Sequence, residues 1–126
     1  MIVRVFDKQT DYSIIHGWWK LQGFVPLHPD LLPTGFIVDG VAAAFAYCYP
    51  GVSLGMMEWI VTNPEAPSAD RDKAMDMVLE ACATELKAAG AKIALAYLMD
   101  ERLIERYKKH GFAVTGTGVT EVMRRL

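Results

Sequence analysis

Apolar residues recur along this chain in short alternating runs, broken by two stripes with the 3.6-residue period of a helix. Residues 1–6 begin the pattern. Ile2, Val3, Val5 and Phe6 are β-branched or aromatic and suit a pleated strand. Asp11 is a candidate cap for a helix reaching Leu21, since Ile14, Ile15, Trp18, Trp19 and Leu21 follow at near-helical spacing and Gly23 can end it. Pro26, Pro29 and Pro33 punctuate 24–33, which reads as a loop or a broken helix. Residues 35–38 read as a strand. Asp39-Gly40 then supplies a strong hairpin signal, and 41–49 returns as the partner strand. That partner is mostly apolar, so both its faces are expected to be covered.

Pro50-Gly51 makes another turn, and 56–61 reads as a further strand. The clearest helix spans 69–89, where Met75, Val78, Leu79, Cys82 and Leu86 share one face and Gly90 stands ready to terminate it. Residues 92–98 form an apolar strand. Asp100 can cap a short helix through Lys109, with Leu103, Ile104 and Tyr107 on one side and Gly111 at its end. Residues 112–115 and 120–126 read as two last strands joined across Gly116 and Gly118. The order β-α-β-β-β-α-β-α-β-β predicts one α/β domain over 1–126, a mixed sheet with helices on both faces.

A length of 126 residues fits that single domain. The chain is 52% hydrophobic and 22% charged with a net charge of −2, which argues against a nucleic-acid binder. Lys108-Lys109 and Arg124-Arg125 are too short to be more than solvated surface charge. Cys48 and Cys82 lie far apart and lack metal-ligand spacing, so no metal site is expected. No apolar run approaches the roughly 20 residues of a membrane span. Residues 1–6 lack a secretory apolar stretch, and Asp7 and Lys8 follow at once. A soluble, cytoplasmic protein is expected.

Several residues carry candidate chemistry. Alternation in the strand at 56–61 puts Glu58, Ile60 and Thr62 on one face and Met57, Trp59 and Val61 on the other. Trp18 and Trp19 could line a cleft for an apolar or cationic substrate, or divide between core and surface. His16, His28 and His110 are scattered and read as structural or exposed. Leu31-Leu32 is apolar for a loop and fits a lid, a partner contact or the core.

The stretch Asp100-Glu101-Arg102-Leu103-Ile104-Glu105-Arg106-Tyr107-Lys108-Lys109-His110-Gly111-Phe112 resembles a motif of the GNAT acetyltransferases. In that family an Asn, an amphipathic turn and then Tyr-(Glu/Lys)-Lys-x-Gly-Phe stand at this place. Here Tyr107, Lys109, Gly111 and Phe112 match and Asp100 replaces the Asn. The element order is also similar to the GNAT order, and more distantly the chain resembles the GNAT-like proteins of bacteriophages. The resemblance implies acetyl-CoA as co-substrate and an amine of a small molecule or protein as acceptor. It makes Tyr107 the acid that protonates the departing thiolate, and a phenol of pKa about 10 does hold its proton at neutral pH. It makes Glu58 the base, whose pKa burial would raise towards the working range, although an edge or surface carboxylate fits the same position. Backbone at Ile60 and Val61 would pair with the pantetheine arm. Arg71, Lys73 and the amides around Ala74 would hold the pyrophosphate, with Asp100 completing the cofactor-binding set.

The cofactor loop departs from the family pattern. Ala74 and Asp76 stand where glycines would let backbone amides approach phosphates. Asp70, Asp72 and Asp76 crowd the helix start, and an acid about 4 Å from a phosphate costs roughly 4 kcal/mol at an effective dielectric near 20. The alternative is therefore a catalytically inactive GNAT-fold protein that acts through protein contacts. A homodimer would be ordinary for a domain of this kind.

Overall fold

A computed structural model describes residues 1–126. Strand β1 (Val3–Val5) leads into helix α1 (Lys8–Leu21), and a single 3-10 turn, Pro29–Leu31, precedes β2 (Thr34–Val38). Then come β3 (Ala42–Cys48), β4 (Leu54–Thr62), helix α2 (Ser68–Ala88), β5 (Ile93–Leu95) and helix α3 (Glu101–Lys109). The five strands form one sheet in the order β1-β2-β3-β4-β5. The first four run antiparallel to their neighbours, and β5 joins β4 in parallel through the α2 crossover.

Both faces of the sheet are covered, as the sequence predicts. On one side Ile15, Trp18 and Trp19 of α1 pack on Ile37, Ala43, Phe45 and Val61. On the other, Ala74, Val78, Leu79, Cys82 and Leu86 of α2 pack on Val38, Ala42, Ala44, Ala46 and Met57, joined by Tyr107 of α3. The alanines of β3 let the helices lie close to the sheet. Gly55 has the same use: a Cβ there would come within 2.6 Å of Leu86 Cδ2. Leu32 is 3% exposed and belongs to the core, whereas Leu31 beside it is 60% exposed.

Three sequence expectations are corrected. Helix α1 is capped by Asp7, whose side chain accepts from the Gln9 amide, and not by Asp11. Asp11 is buried one turn inside the helix, where it meets Arg4 of β1. The face of α2 includes Ala74, while Met75 is only half-buried at its edge. The two final strands do not form. Residues 113–126 have no strand structure and are all exposed. β5 pairs for only three residues, so it offers no ladder long enough to organise them.

Candidate functional site

The site begins with an irregularity in β4. Ala43 pairs with Val61 but Phe45 pairs with Glu58, so β4 carries one more residue than β3 across the same interval. The bulge sits at Trp59, whose φ of 53° is left-handed and costs a bulky residue about 1–2 kcal/mol. It also overturns the predicted alternation. Met57 and Ile60 face the α2 side, whereas Trp59 and Val61 face the α1 side. Glu58 shares the face of its partner Phe45, opposite to Ile60.

A second irregularity follows. β5 pairs with β4 only from Leu54 to Met56. From Met57 onward the edge of β4 towards β5 has no strand against it, and its backbone groups need another partner. A cleft of about 380 Å³ opens there, walled by Ile60, Val61 and Thr62 of β4, the first turns of α2 and α3, and Gln22 and Phe24 after α1. Gln22 fixes that corner by donating to the Thr62 carbonyl at 2.7 Å. Asn63 anchors the next loop, donating to the Gly40 carbonyl at 2.9 Å while its side-chain oxygen accepts from the Glu65 amide at 3.0 Å.

The cleft brings together four of the sequence candidates: Ile60, Val61, Arg71 and Asp100. The Nε of Arg71 is buried and has no hydrogen-bond partner. Asp100 caps α3, accepting from the Leu103 amide at 3.0 Å. Lys73 is exposed and Ala74 is fully buried in the core, and neither lines the cleft. The helix opens earlier than the sequence register assumes. Its cap is Pro67, which has no side-chain group to give, and Arg71 already donates its amide to the Pro67 carbonyl at 3.0 Å. The amides ahead of the first helical bond are thus those of Ser68, Ala69 and Asp70, not those around Ala74. Arg102 and Arg106 also line the cleft and are absent from the sequence candidates. Their spacing of four residues after the cap was the available signal.

Two of the three acids that crowd the helix start, Asp72 and Asp76, are held by α3. Arg106 donates to Asp72 and to Asp76, each at 2.7 Å, and to the Asp72 carbonyl at 3.0 Å. His110 bridges Asp76 at 2.9 Å and Glu80 at 2.6 Å. Burial alone would lower the His110 pKa, but the bonds to Asp76 and Glu80 raise it. Burial would likewise raise Asp76, yet His110 and Arg106 hold it below the usual carboxylate range. Asp76 lies outside the cleft and is compensated where it stands.

Glu58 is half-buried, and its pKa is raised by burial and then by the charge of Glu121. Tyr107 is buried in the α2-side core with its ring edge-on to Phe112 at 5.1 Å. Burial, and then the Cys82 side chain, push its phenol well above the ordinary tyrosine range. Tyr107 does not line the cleft. Trp18 and Trp19 are core residues of the α1 side, so they do not line an acceptor cleft.

A mixed sheet with a bulged β4, a splayed β4–β5 junction and helices on both faces defines a class: the chain has the fold of the GNAT acetyltransferases. It superposes on a GNAT-family acetyltransferase from Streptococcus pneumoniae TIGR4 with a TM-score of 0.71 and 12% identity, covering 98% of this chain and 100% of that one. An N-acetyltransferase from Staphylococcus aureus Mu50 gives 0.71 and 15%, covering 91% and 84%. An aminoglycoside N-acetyltransferase, AAC(6')-Iy, solved in complex with CoA, gives 0.63 and 15%, covering 98% and 100%. No protein-family model matches the sequence, and no curated protein matches it. No helix is long and apolar enough to cross a membrane.

Proposed function

We propose that the protein is an acetyl-CoA-dependent N-acetyltransferase acting on an amine. The observation that carries this reading is the unpaired edge of β4 beside a cleft lined by Arg71 at the start of α2. The residues present fit the co-substrate: Arg71 and the uncapped start of α2 suit a pyrophosphate, and the β4 edge at Ile60 and Val61 suits an amide-bearing arm. The capture of Asp72 and Asp76 by Arg106 and His110 removes much of the repulsion that the sequence implies.

Acetyl-CoA supplies the thioester carbon. The amine nitrogen bonds to that carbon, the carbon–sulfur bond breaks, and sulfur leaves with the electron pair. Glu58, on the α1 face of β4 beside the bulge, accepts the amine proton directly or through water, and its raised pKa makes it a better base than an ordinary carboxylate. Sulfur then takes a proton; Tyr107 is a phenol at neutral pH but is buried and does not line the cleft, so the Tyr107→Phe variant decides whether it is the donor.

Thermal unfolding with and without acetyl-CoA tests this reading. A ligand at about 100 times its Kd adds roughly 2.7 kcal/mol, and the Tm rises by several degrees for a domain of this size. Arg71→Glu should abolish the rise. A wild-type protein that does not respond to millimolar acetyl-CoA would instead support a GNAT-fold protein working through protein contacts.

A further inference from the structure

We propose that α3 is a proton-held wall of the cleft: while His110 carries a positive charge it docks the helix on α2, and when that charge is lost α3 loosens and the cleft loses affinity for an anionic ligand. The effect on acetyl-CoA rests on the transferase reading; the docking of α3 does not.

The two helices meet with their charges in step. Asp72, Asp76 and Glu80 recur every four residues along α2, and Arg106 and His110 are four apart at the end of α3. On a helix that spacing sets side chains on one face. Arg106 sits between Asp72 and Asp76, 2.7 Å from each, and His110 between Asp76 at 2.9 Å and Glu80 at 2.6 Å. An ionised carboxylate only accepts, so both contacts of His110 need an N–H on the ring. A neutral imidazole has one N–H and an imidazolium has two. The observed pair of contacts therefore belongs to the charged ring, and a neutral ring would turn a lone pair on one of the carboxylates.

Loss of the proton does more than remove one bond. Asp72, Asp76 and Glu80 would then share the single charge of Arg106, and Asp76 and Glu80, one turn apart, would repel with no cation between them. The charged groups facing His110 are Asp76 and Glu80 from α2, and Arg106 from α3 through their common partner Asp76. Burial favours the neutral ring, yet the bonds to Asp76 and Glu80 outweigh it and raise the pKa, so the charge is lost above the ordinary histidine range. Little else holds α3. It is nine residues long with Tyr107 its single buried residue, too short to persist undocked. Yet Asp100, Arg102, Leu103 and Arg106 form one wall of the cleft, and Arg106 belongs to the wall and to the ion pairs alike. Loosening α3 withdraws Arg102 and Arg106 from the cleft that Arg71 also lines, and with them the positive charge an anion would meet.

Amide hydrogen exchange of the ligand-free protein tests the docking. It is read at about pH 6 and about pH 9, either side of the raised histidine value, with labelling times scaled to the intrinsic rate at each pH. In the wild type the protection of α3 relative to α2 should fall by roughly two- to fivefold at the higher pH, the range for ion pairs near a surface. His110→Gln cannot carry the charge, so its α3 should be loose at both pH values. His110→Arg carries it throughout, so its α3 should stay protected at both. Wild-type protection that does not change with pH overturns the proposal, as does a fall of the same size in His110→Arg. Calorimetric titration with acetyl-CoA over the same range reads the cleft. The ratio of wild-type to His110→Arg affinity cancels the ionisation of the ligand itself, and it should fall by about the factor that α3 loses in protection. A ratio that stays constant while α3 loosens overturns the link to the cleft. If α3 responds as expected but acetyl-CoA binds neither protein at either pH, the docking stands and the transferase reading alone fails.

Discussion

Asp11 is 2% exposed and accepts two bonds of 2.8 Å from Arg4 and one of 2.7 Å from the Asp7 amide. It thereby ties β1 to the start of α1. Breaking a buried pair costs 3–5 kcal/mol, but Arg4 is partly solvated, so Asp11→Asn should cost ~2 kcal/mol in urea unfolding at neutral pH. The bonds from Arg4 hold the Asp11 carboxyl below its ordinary range despite burial. A depressed native pKa contributes stability that is full above the unfolded value near 3.9 and is lost as pH falls through the native one. The difference between wild type and Asp11→Asn should therefore shrink in acid. Tyr107 supports a second prediction at this scale. Tyr107→Phe keeps the ring contact with Phe112 and removes only the hydroxyl. If that hydroxyl is the acid, kcat should fall about 10²-fold or more while the Tm changes little. Unchanged kcat would make Tyr107 a packing residue. From sequence, Asp11 looked like a cap because Asp near a helix start usually is one. Its pairing with Arg4 depends on how β1 meets α1, which no local pattern records.

At the scale of elements, α2 and α3 are joined by a run of charges: Asp72, Arg106, Asp76, His110 and Glu80. α3 is short, and Tyr107 is its single buried residue, so these ion pairs fix its position beside the cleft. Arg106→Ala should lower stability by ~1–2 kcal/mol, more than a typical exposed pair, because it releases two carboxylates at once. The clamp also has a pH window. His110 has a raised native pKa, so its contribution is full below the unfolded value near 6.5 and is lost as pH rises through the native one. Asp76 has a lowered native pKa, so its contribution is lost as pH falls below the carboxylate range. His110→Gln should flatten the alkaline side of the stability profile and leave the acid side, as chemical denaturation across pH would show. The Asp100 cap, the Tyr107 motif and the end of α3 were legible in sequence because they are local signals. The clamp was not, since its partners lie about 30 residues apart and the same acids read equally well as N-terminal dipole partners.

Across the whole molecule, the antiparallel hairpins, the α2 crossover and the covering of both faces follow from periodicity and turn residues along the chain. Two features do not. The bulge at Trp59 has no glycine to announce it, yet it separates Glu58 from Ile60 and turns a simple strand into the wall of a cleft. The C-terminal run is patterned like a strand, but pattern alone cannot supply an edge to pair with. The two buried clusters close without residues 113–126, all of which are exposed. Truncation after Phe112 should thus leave unfolding cooperative and cost less than ~1 kcal/mol, as for other changes remote from a core. It should also remove the charge of Glu121, so the Glu58 pKa should fall towards its ordinary value while the part due to burial stays. Thermal melting followed by circular dichroism checks the first expectation. The acid limb of the pH–rate profile checks the second and should move to lower pH. A loss of many degrees on truncation would mean that the tail completes the sheet at β5 in solution, with a register that three paired residues do not reveal.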